Sequence, residues 1–305
     1  MFTARTTRFA AATGIALAAS LVFAGCASSN PLDTPTDSGD AGSSDTIVIG
    51  SQAYYSNEIV AEIYAQALEN AGLTVDRQFN IGQRDAYMPE LESGAIDLFP
   101  EYTGNLLEFL DPEATATSSD DVYAALQDAL PDGLTALDYS EASDQDTYTV
   151  LKAFADEHSL KTIADLAGAG DGLIIGGAPE FEQRPYGPAA AEKTYGVKLE
   201  FSATGPTTLD ALLAGEINVA DIYSADPAFQ SGDIVALEDP ENLILASNVV
   251  PIAASDVSDK IADVINPISA ALTVKDLVAL NAHSTVDELS TPDIAKKWLK
   301  DKGLI

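Results

Sequence analysis

The chain has one cysteine, two histidines and one tryptophan in 305 residues. A lone cysteine excludes an intramolecular disulfide. Two histidines and one thiol give no basis for a transition-metal cluster, and His158 and His283 both fall near predicted helix ends, where they read as C-terminal caps. No Gly-x-Ser-x-Gly elbow occurs, and no glycine-rich loop ends in Gly-Lys-Ser/Thr. The run Gly168–Gly172 precedes a strand rather than opening a helix, so it reads as a turn. Basic residues are also scarce. Fifteen Lys and Arg against 48 Asp and Glu give a formal charge of −33, which argues against nucleic acid or anionic lipid as a partner, since both demand a basic footprint. Such a surface favours solubility and attracts small cations over long range, although most of the excess reads as a generic adaptation to salt or an acidic secretome.

What is present begins with a leader. Arg5 and Arg8 precede an apolar run from Phe9 to Phe23, and small residues follow. This is the pattern of a secretory signal, too short and alanine-rich for a good membrane span. Phe23-Ala24-Gly25-Cys26 resembles a bacterial lipobox, with Phe23 where an aliphatic residue is usual. Residues 1–25 are therefore expected to be removed and Cys26 to be lipidated, two acyl chains sufficing for a stable anchor. Removal shifts the formal charge from −33 to −35, because Arg5 and Arg8 are the only charged residues lost. Residues 26–45 then read as the lipidated cysteine and a flexible tether. The aspartates of the tether lack the alternate-position ligands and closing glutamate of an EF-hand.

From Thr46 onward, strands alternate with helices, which gives an α/β class with parallel sheets. Predicted strands cover 46–50, 74–80, 95–99, 148–151, 173–177, 197–201 and 217–222. Helices follow Ser56 (with Ile59, Val60, Ile63, Tyr64, Ala67 and Leu68 at helical spacing), span 84–93, follow Ser118, and cover 188–195 and 207–214. Thr162 to Asp165 has the form of a capping box. Asn248-Val249-Val250-Pro251-Ile252 reads as a return crossing before a helical tail capped by Thr273 and opened again at Thr291-Pro292. Trp298 belongs to packing in that tail. The division expected is one lobe from 46–145 and 250–305, a second from 146–249, and a hinge between them.

One stretch organises the rest. Leu91-Glu92-Ser93-Gly94 ends a helix, Ala95 to Phe99 reads as a buried strand, and Pro100-Glu101-Tyr102-Thr103-Gly104 follows, with Pro100 as the stop. Tyr102 thus lies at the carboxyl edge of a strand, where open α/β sheets bind ligands. The design recurs at Gly215-Glu216-Ile217-Asn218-Val219-Ala220-Asp221-Ile222-Tyr223. Counted from each glycine, Asp97 matches Asn218 and Tyr102 matches Tyr223. Chance resemblance of two αβ turns and two similar lobes are both consistent with so short a match. Tyr54, Tyr55, Tyr102, Tyr148 and Tyr223 all sit at strand ends, and several rings converging on a cleft suit a cation without hydrogen-bond donors, at about 0.5–2 kcal/mol per ring face. Tyr64, Tyr123 and Tyr195 sit on helix faces as packing residues.

From Thr46 to Leu304 the chain resembles the substrate-binding proteins of bacterial ABC importers for glycine betaine, choline and related osmoprotectants. The resemblance rests on Ile49-Gly50-Ser51-Gln52, Asp97-Leu98-Phe99-Pro100-Glu101-Tyr102-Thr103-Gly104, Pro179-Glu180-Phe181 with Arg184, and Val219-Ala220-Asp221-Ile222-Tyr223-Ser224. It implies a two-lobed periplasmic-binding-protein fold of the second type that closes on its ligand by hinge bending. It further implies a box of tyrosines around a quaternary ammonium. Tyr102, Tyr148 (after Asp146-Thr147) and Tyr223 match box positions, and Gln52, Thr103, Asn105 and Arg184 match polar contacts. The fourth box tyrosine is replaced by Ser247 in Ser247-Asn248-Val249-Val250-Pro251. Either Tyr54 or Tyr55 closes the cage, or the ligand is less than fully methylated. The expectation is a monomeric, lipid-anchored receptor on the extracellular face, without a cofactor, delivering its solute to a separate permease subunit. A receptor for an amino acid or other small zwitterion is the alternative. An extracellular hydrolase would have to draw on Asp97, Glu101, Asp146 and Asp221, which show no paired acid and base.

Overall fold

Short apolar runs bounded by glycine and proline become strands, and the amphipathic stretches between them become helices. The computed structural model describes residues 46–305, so the leader, Cys26 and the tether lie outside the described residues. In chain order the strands are β1 (Thr46–Gly50), β2 (Thr74–Gln78), β3 (Leu98–Tyr102), β4 (Leu134–Ala136), β5 (Tyr148–Leu151), β6 (Leu173–Gly177), β7 (Leu199–Ala203), β8 (Val219–Asp221), β9 (Ile234–Ala236) and β10 (Val249–Ala254). They form two five-stranded sheets, ordered β2-β1-β3-β10-β4 and β7-β6-β8-β5-β9. The two orders are the same slot for slot, with β1, β3 and β10 of the first sheet answered by β6, β8 and β5 of the second.

The sheets are mixed rather than parallel, which departs from the sequence expectation. In each, one strand runs antiparallel to its neighbours: β10 between β3 and β4, and β5 between β8 and β9. The reason is connectivity. β5 and β10 are the strands by which the chain enters a sheet from the other half, and both enter beside the central strand pair. The chain passes between the sheets twice, through residues 137–147 and 237–248.

The first sheet is covered by α1 (Tyr55–Asn70), whose Ile59, Val60, Ile63, Tyr64, Ala67 and Leu68 are buried as their spacing predicts. α2 (Arg84–Glu92), α3 (Thr103–Leu110) and α4 (Ser119–Ala129) follow in the first half, and α5 (Lys152–His158), α6 (Pro188–Tyr195) and α7 (Thr208–Leu213) in the second. The tail folds as α8 (Ser255–Ala271), α9 (Val274–Thr285) and α10 (Thr291–Asp301). Ile261, Leu277 and Trp298 of that tail share one core with Ile47, Ile49 and α1, so the tail returns to the first sheet. Tyr148, Val150, Ile163, Ile175 and Phe181 belong to a separate core in the second half.

Local signals are realised where a side chain makes a specific bond. Ser118 and Thr273 cap α4 and α9 by accepting from Asp121 N and Asp276 N, and the Asp165 carboxylate accepts from Thr162 N at 2.8 Å. Two differ. α1 starts at Tyr55, with Ser56 buried inside its first turn and making no cap bond. Pro100 does not stop β3 but sits within it, opposite Pro251 of β10. The Pro100 carbonyl accepts from Asn57 Nδ2 (2.7 Å) and the Pro251 carbonyl from Leu137 N (2.9 Å). Both carbonyls point away from the facing strand, so this is a non-hydrogen-bonded pair, where two missing N–H groups cost no bond between β3 and β10.

Candidate functional site

The repeat seen in the sequence has one geometry in both halves. Gly94 and Gly215 adopt left-handed φ values of 74° and 72°, a turn that glycine takes without strain. Three residues on, Asp97 N donates to Val48 O (2.8 Å) and its carboxylate accepts from Val48 N (2.7 Å). Asn218 N likewise donates to Ile174 O (2.9 Å), and its amide oxygen accepts from Ile174 N (2.9 Å). Each clamp sets a strand against the sheet so that a tyrosine emerges at its far end. Asp97 is thereby occupied in structure and lost to the hydrolase reading.

In the first half, the acid at the strand end is fully hydrogen-bonded. Arg84 grips Glu101 through Nε–Oε1 (2.7 Å) and Nη2–Oε2 (2.9 Å), with the glutamate fully buried. Glu101 also accepts from Tyr102 N (2.9 Å) and from the Tyr87 hydroxyl, to which Gln52 Nε2 donates (3.1 Å). A bidentate pair with every remaining lone pair satisfied is the arrangement in which a buried carboxylate is tolerated. Gly104 then lets α3 start against the return crossing, since a Cβ there would lie 2.7 Å from the Ala246 carbonyl oxygen.

The second half and its connections bring acids to the same place with no such partner. Asp144 accepts from Ala225 N (3.0 Å) and from the Tyr54 hydroxyl (3.0 Å), and burial pushes its carboxyl up to about 7. Asp146 accepts from Asn105 Nδ2 at 2.7 Å. Asp221, at the end of β8, is pushed well above the ordinary carboxylate range by burial and by the neighbouring Asp146, and its Oδ1 is buried without a hydrogen-bond partner. Glu108 of α3 is buried close by, with Oε2 unpartnered, and burial followed by Asp146 raises it to about 8. Asp144, Asp146 and Asp221 line one cavity together with Tyr54, Tyr102, Tyr186, Tyr223, Phe181 and Arg184. Among the described residues, none of these three acids makes an ion pair.

The sequence-predicted residues divide cleanly. Gln52, Tyr54, Tyr102, Asn105, Asp146, Arg184 and Tyr223 line the cavity. The rings of Tyr54 and Tyr223, one from each half, stand 4.9 Å apart. Tyr55 lines the adjoining groove, edge-on to Tyr54 at 4.9 Å. Three residues lie elsewhere. Tyr148 is in the second core, packed near Phe181, with its hydroxyl donating to Tyr186 O at 2.8 Å. Thr103 is fully buried and staples the crossing, donating to Ala246 O (3.1 Å) and accepting from Asn248 N (3.0 Å). Ser247 is buried behind Asn105, donating to Asn105 Oδ1 and accepting from Asn105 N at 3.2 Å. It therefore orients Asn105 and does not face the cavity.

The ring that sequence reasoning missed is Tyr186. It lines the cavity, held by Asn105 Nδ2 at 2.9 Å in front and by Tyr148 behind. A signal for it exists: Tyr186 follows Arg184-Pro185 directly and precedes Gly187, where a Cβ would meet Phe181 O at 2.4 Å. Asp144 and Arg84 are cavity residues that the sequence did not point to either.

Two α/β halves of one topology, meeting over a pocket of tyrosines and carboxylates, define a bilobal solute-binding protein. The chain belongs to the family described as the substrate-binding domain of ABC-type glycine betaine transport systems, which matches residues 45–301. This is a family of solute-binding proteins of ABC transporters, not of enzymes. Over 276 residues the chain is 26% identical to the glycine betaine-binding protein YehZ of Escherichia coli, spanning 84% of this chain and 90% of that one. The structure of unliganded YehZ superposes with a TM-score of 0.64 over 85% of this chain and 99% of the other. A glycine betaine/carnitine/choline ABC transporter structure, 18% identical, covers the same share of this chain and 99% of its own with a TM-score of 0.71. Lactococcal OpuAC in its closed form with glycine betaine, 15% identical, covers 85% and 96% with a TM-score of 0.60.

Proposed function

We propose that the protein captures a quaternary-ammonium solute of the glycine betaine, choline, proline betaine or carnitine class and delivers it to the permease subunit of an ABC importer. The observation that carries this reading is the buried Asp221 carboxyl, its Oδ1 unpartnered, beside Asp146 and walled by four tyrosines. A cation without donors is favoured by ring faces at about 0.5–2 kcal/mol each and neutralises acids that the fold leaves unpaired. Arg184 brings a guanidinium to the cavity wall, suited to a carboxylate or hydroxyl at the ligand's other end. The small-zwitterion alternative drew on a serine hydroxyl facing the ammonium, and Ser247 has its hydroxyl engaged with Asn105 instead. Calorimetry with glycine betaine, choline, carnitine, dimethylglycine, ectoine and proline tests the reading. Trimethylated ligands should bind tightest, and a rank order headed by proline or ectoine would overturn it.

The leader motif supports export and lipid anchoring through Cys26 on the extracellular face of the membrane. Cys26→Ser should leave uncleaved precursor or release protein into the medium, as read by membrane fractionation. Unchanged membrane retention would sink the anchor.

A further inference from the structure

A groove adjoins the cavity at the facing rings of Tyr54 and Tyr223. The cavity is small, about 40 Å³, while the groove holds about 500 Å³. Gln52, Tyr54, Glu180, Asp221 and Tyr223 belong to the walls of both, so only side chains separate the two spaces. The walls added by the groove are mainly apolar: Tyr55 from the first half, and Pro179, Pro206, Leu209 and Ile222 from the second. Its charged residues are Glu180, Asp221 and Asp226, with no Lys, Arg or His among the described residues lining it. The inner cavity, by contrast, is lined by Arg84 and Arg184. A tail leaving the ammonium in this direction therefore meets carbon surface, the neutral side chains of Gln52, Gln83 and Thr208, and no positive charge.

We infer that the groove is a second subsite, which receives an uncharged apolar tail on the quaternary ammonium, as in a choline ester of a short fatty acid. This rests on the ammonium reading above and sharpens it. The walls exclude a tail ending in a carboxylate, because three acids face it and no cation does. They favour added methylenes, each worth roughly fourfold in affinity when fully buried.

The test compares choline, butyrylcholine and choline hemisuccinate by calorimetry on the full chain in detergent. Butyrylcholine should bind about tenfold tighter than choline, the groove being open on one side. The hemisuccinate, of similar length but carboxylate-tipped, should bind more weakly than butyrylcholine. Leu209→Arg should reverse the order of the two esters and leave choline within about twofold. Leu209 leans on the second-half core, so Pro206→Arg, at an exposed position, makes the same test without touching packing. Butyrylcholine binding more weakly than choline, or arginine variants that change all three ligands alike, would overturn the subsite. If choline and glycine betaine themselves fail to bind, the quaternary-ammonium reading falls and the subsite with it. If they bind and the ester gains nothing, only the subsite falls.

Discussion

The ends of β3 and β8 are built alike up to their last residues and then diverge. Glu101 follows Gly94 by seven residues and is held by both arms of Arg84, a tyrosine hydroxyl and a backbone amide. Asp221 follows Gly215 by six and has a buried oxygen with no partner, beside a second carboxylate. One strand end has its acid completed by an internal cation, and the other leaves a buried acid without one. A shared backbone design therefore serves two different roles. The first strand end is a support, and the second is a receptor.

The sharpest break of this comparison removes the internal cation. Arg84→Met should cost about 3–5 kcal/mol in urea unfolding, because it leaves Glu101 buried and uncompensated. A loss under about 1 kcal/mol would mean the pair is not the support described here. The matching change in the other half should behave oppositely. Asp221→Asn should leave unliganded stability unchanged or raised, yet weaken choline binding by about 2 kcal/mol or more, near thirtyfold. Equal affinity in mutant and wild type would place the cation elsewhere.

Acidity offers a third probe. Burial raises Asp144 to about 7 from an ordinary 3.8, and Glu108 to about 8 from 4.5. For groups whose folded value lies above the unfolded one, the native state holds the proton more tightly. Their stabilising contribution is complete at low pH and is lost as pH rises through 7 and 8. Unliganded stability should thus fall between pH 5 and pH 8, at most by about 1.4 kcal/mol per pH unit for each group, and the melting temperature with it. Choline affinity should rise over the same range as the carboxylates ionise. Asp144→Asn should flatten the part of the profile between about pH 4 and pH 7.

The smallest effects separate the rings. Tyr102→Ala, Tyr186→Ala and Tyr223→Ala should each weaken trimethylammonium ligands by about 0.5–2 kcal/mol plus lost apolar contact. Phenylalanine should be milder at each site because the ring face remains. Tyr148→Phe should change binding little, its hydroxyl lying behind Tyr186. If Tyr148→Phe proves the most damaging, the assignment of Tyr186 to the cage is wrong.

Those contrasts also show what was legible in the sequence. Turn chemistry was readable because it is local: Gly94, Gly215, Asp97 and Asn218 announce two equivalent strand starts, and the tyrosines eight residues beyond each glycine both reach the cavity. Gln52, Asn105 and Arg184 came instead from the family resemblance, and all three line the cavity. Sheet polarity was not, since the direction of β5 and β10 depends on which half the chain arrives from. Tyr148 and Tyr186 show a second limit. A strand alternates its side chains between two faces, and a one-position ambiguity decides between cavity and core. Nothing local to Tyr148 says that a later loop will lay Tyr186 across it. Ser247 fails similarly, because its partner Asn105 lies 142 residues away in the chain.

Asn105 has a consequence of its own. Its side chain has two N–H donors, engaged by Asp146 and Tyr186, and a carbonyl that accepts from Ser247. The amide works as a clasp: one side chain of α3 holds both Asp146 of the first connection and Tyr186 of the second half, so the halves are tied at the cavity wall by hydrogen bonds that no guest supplies.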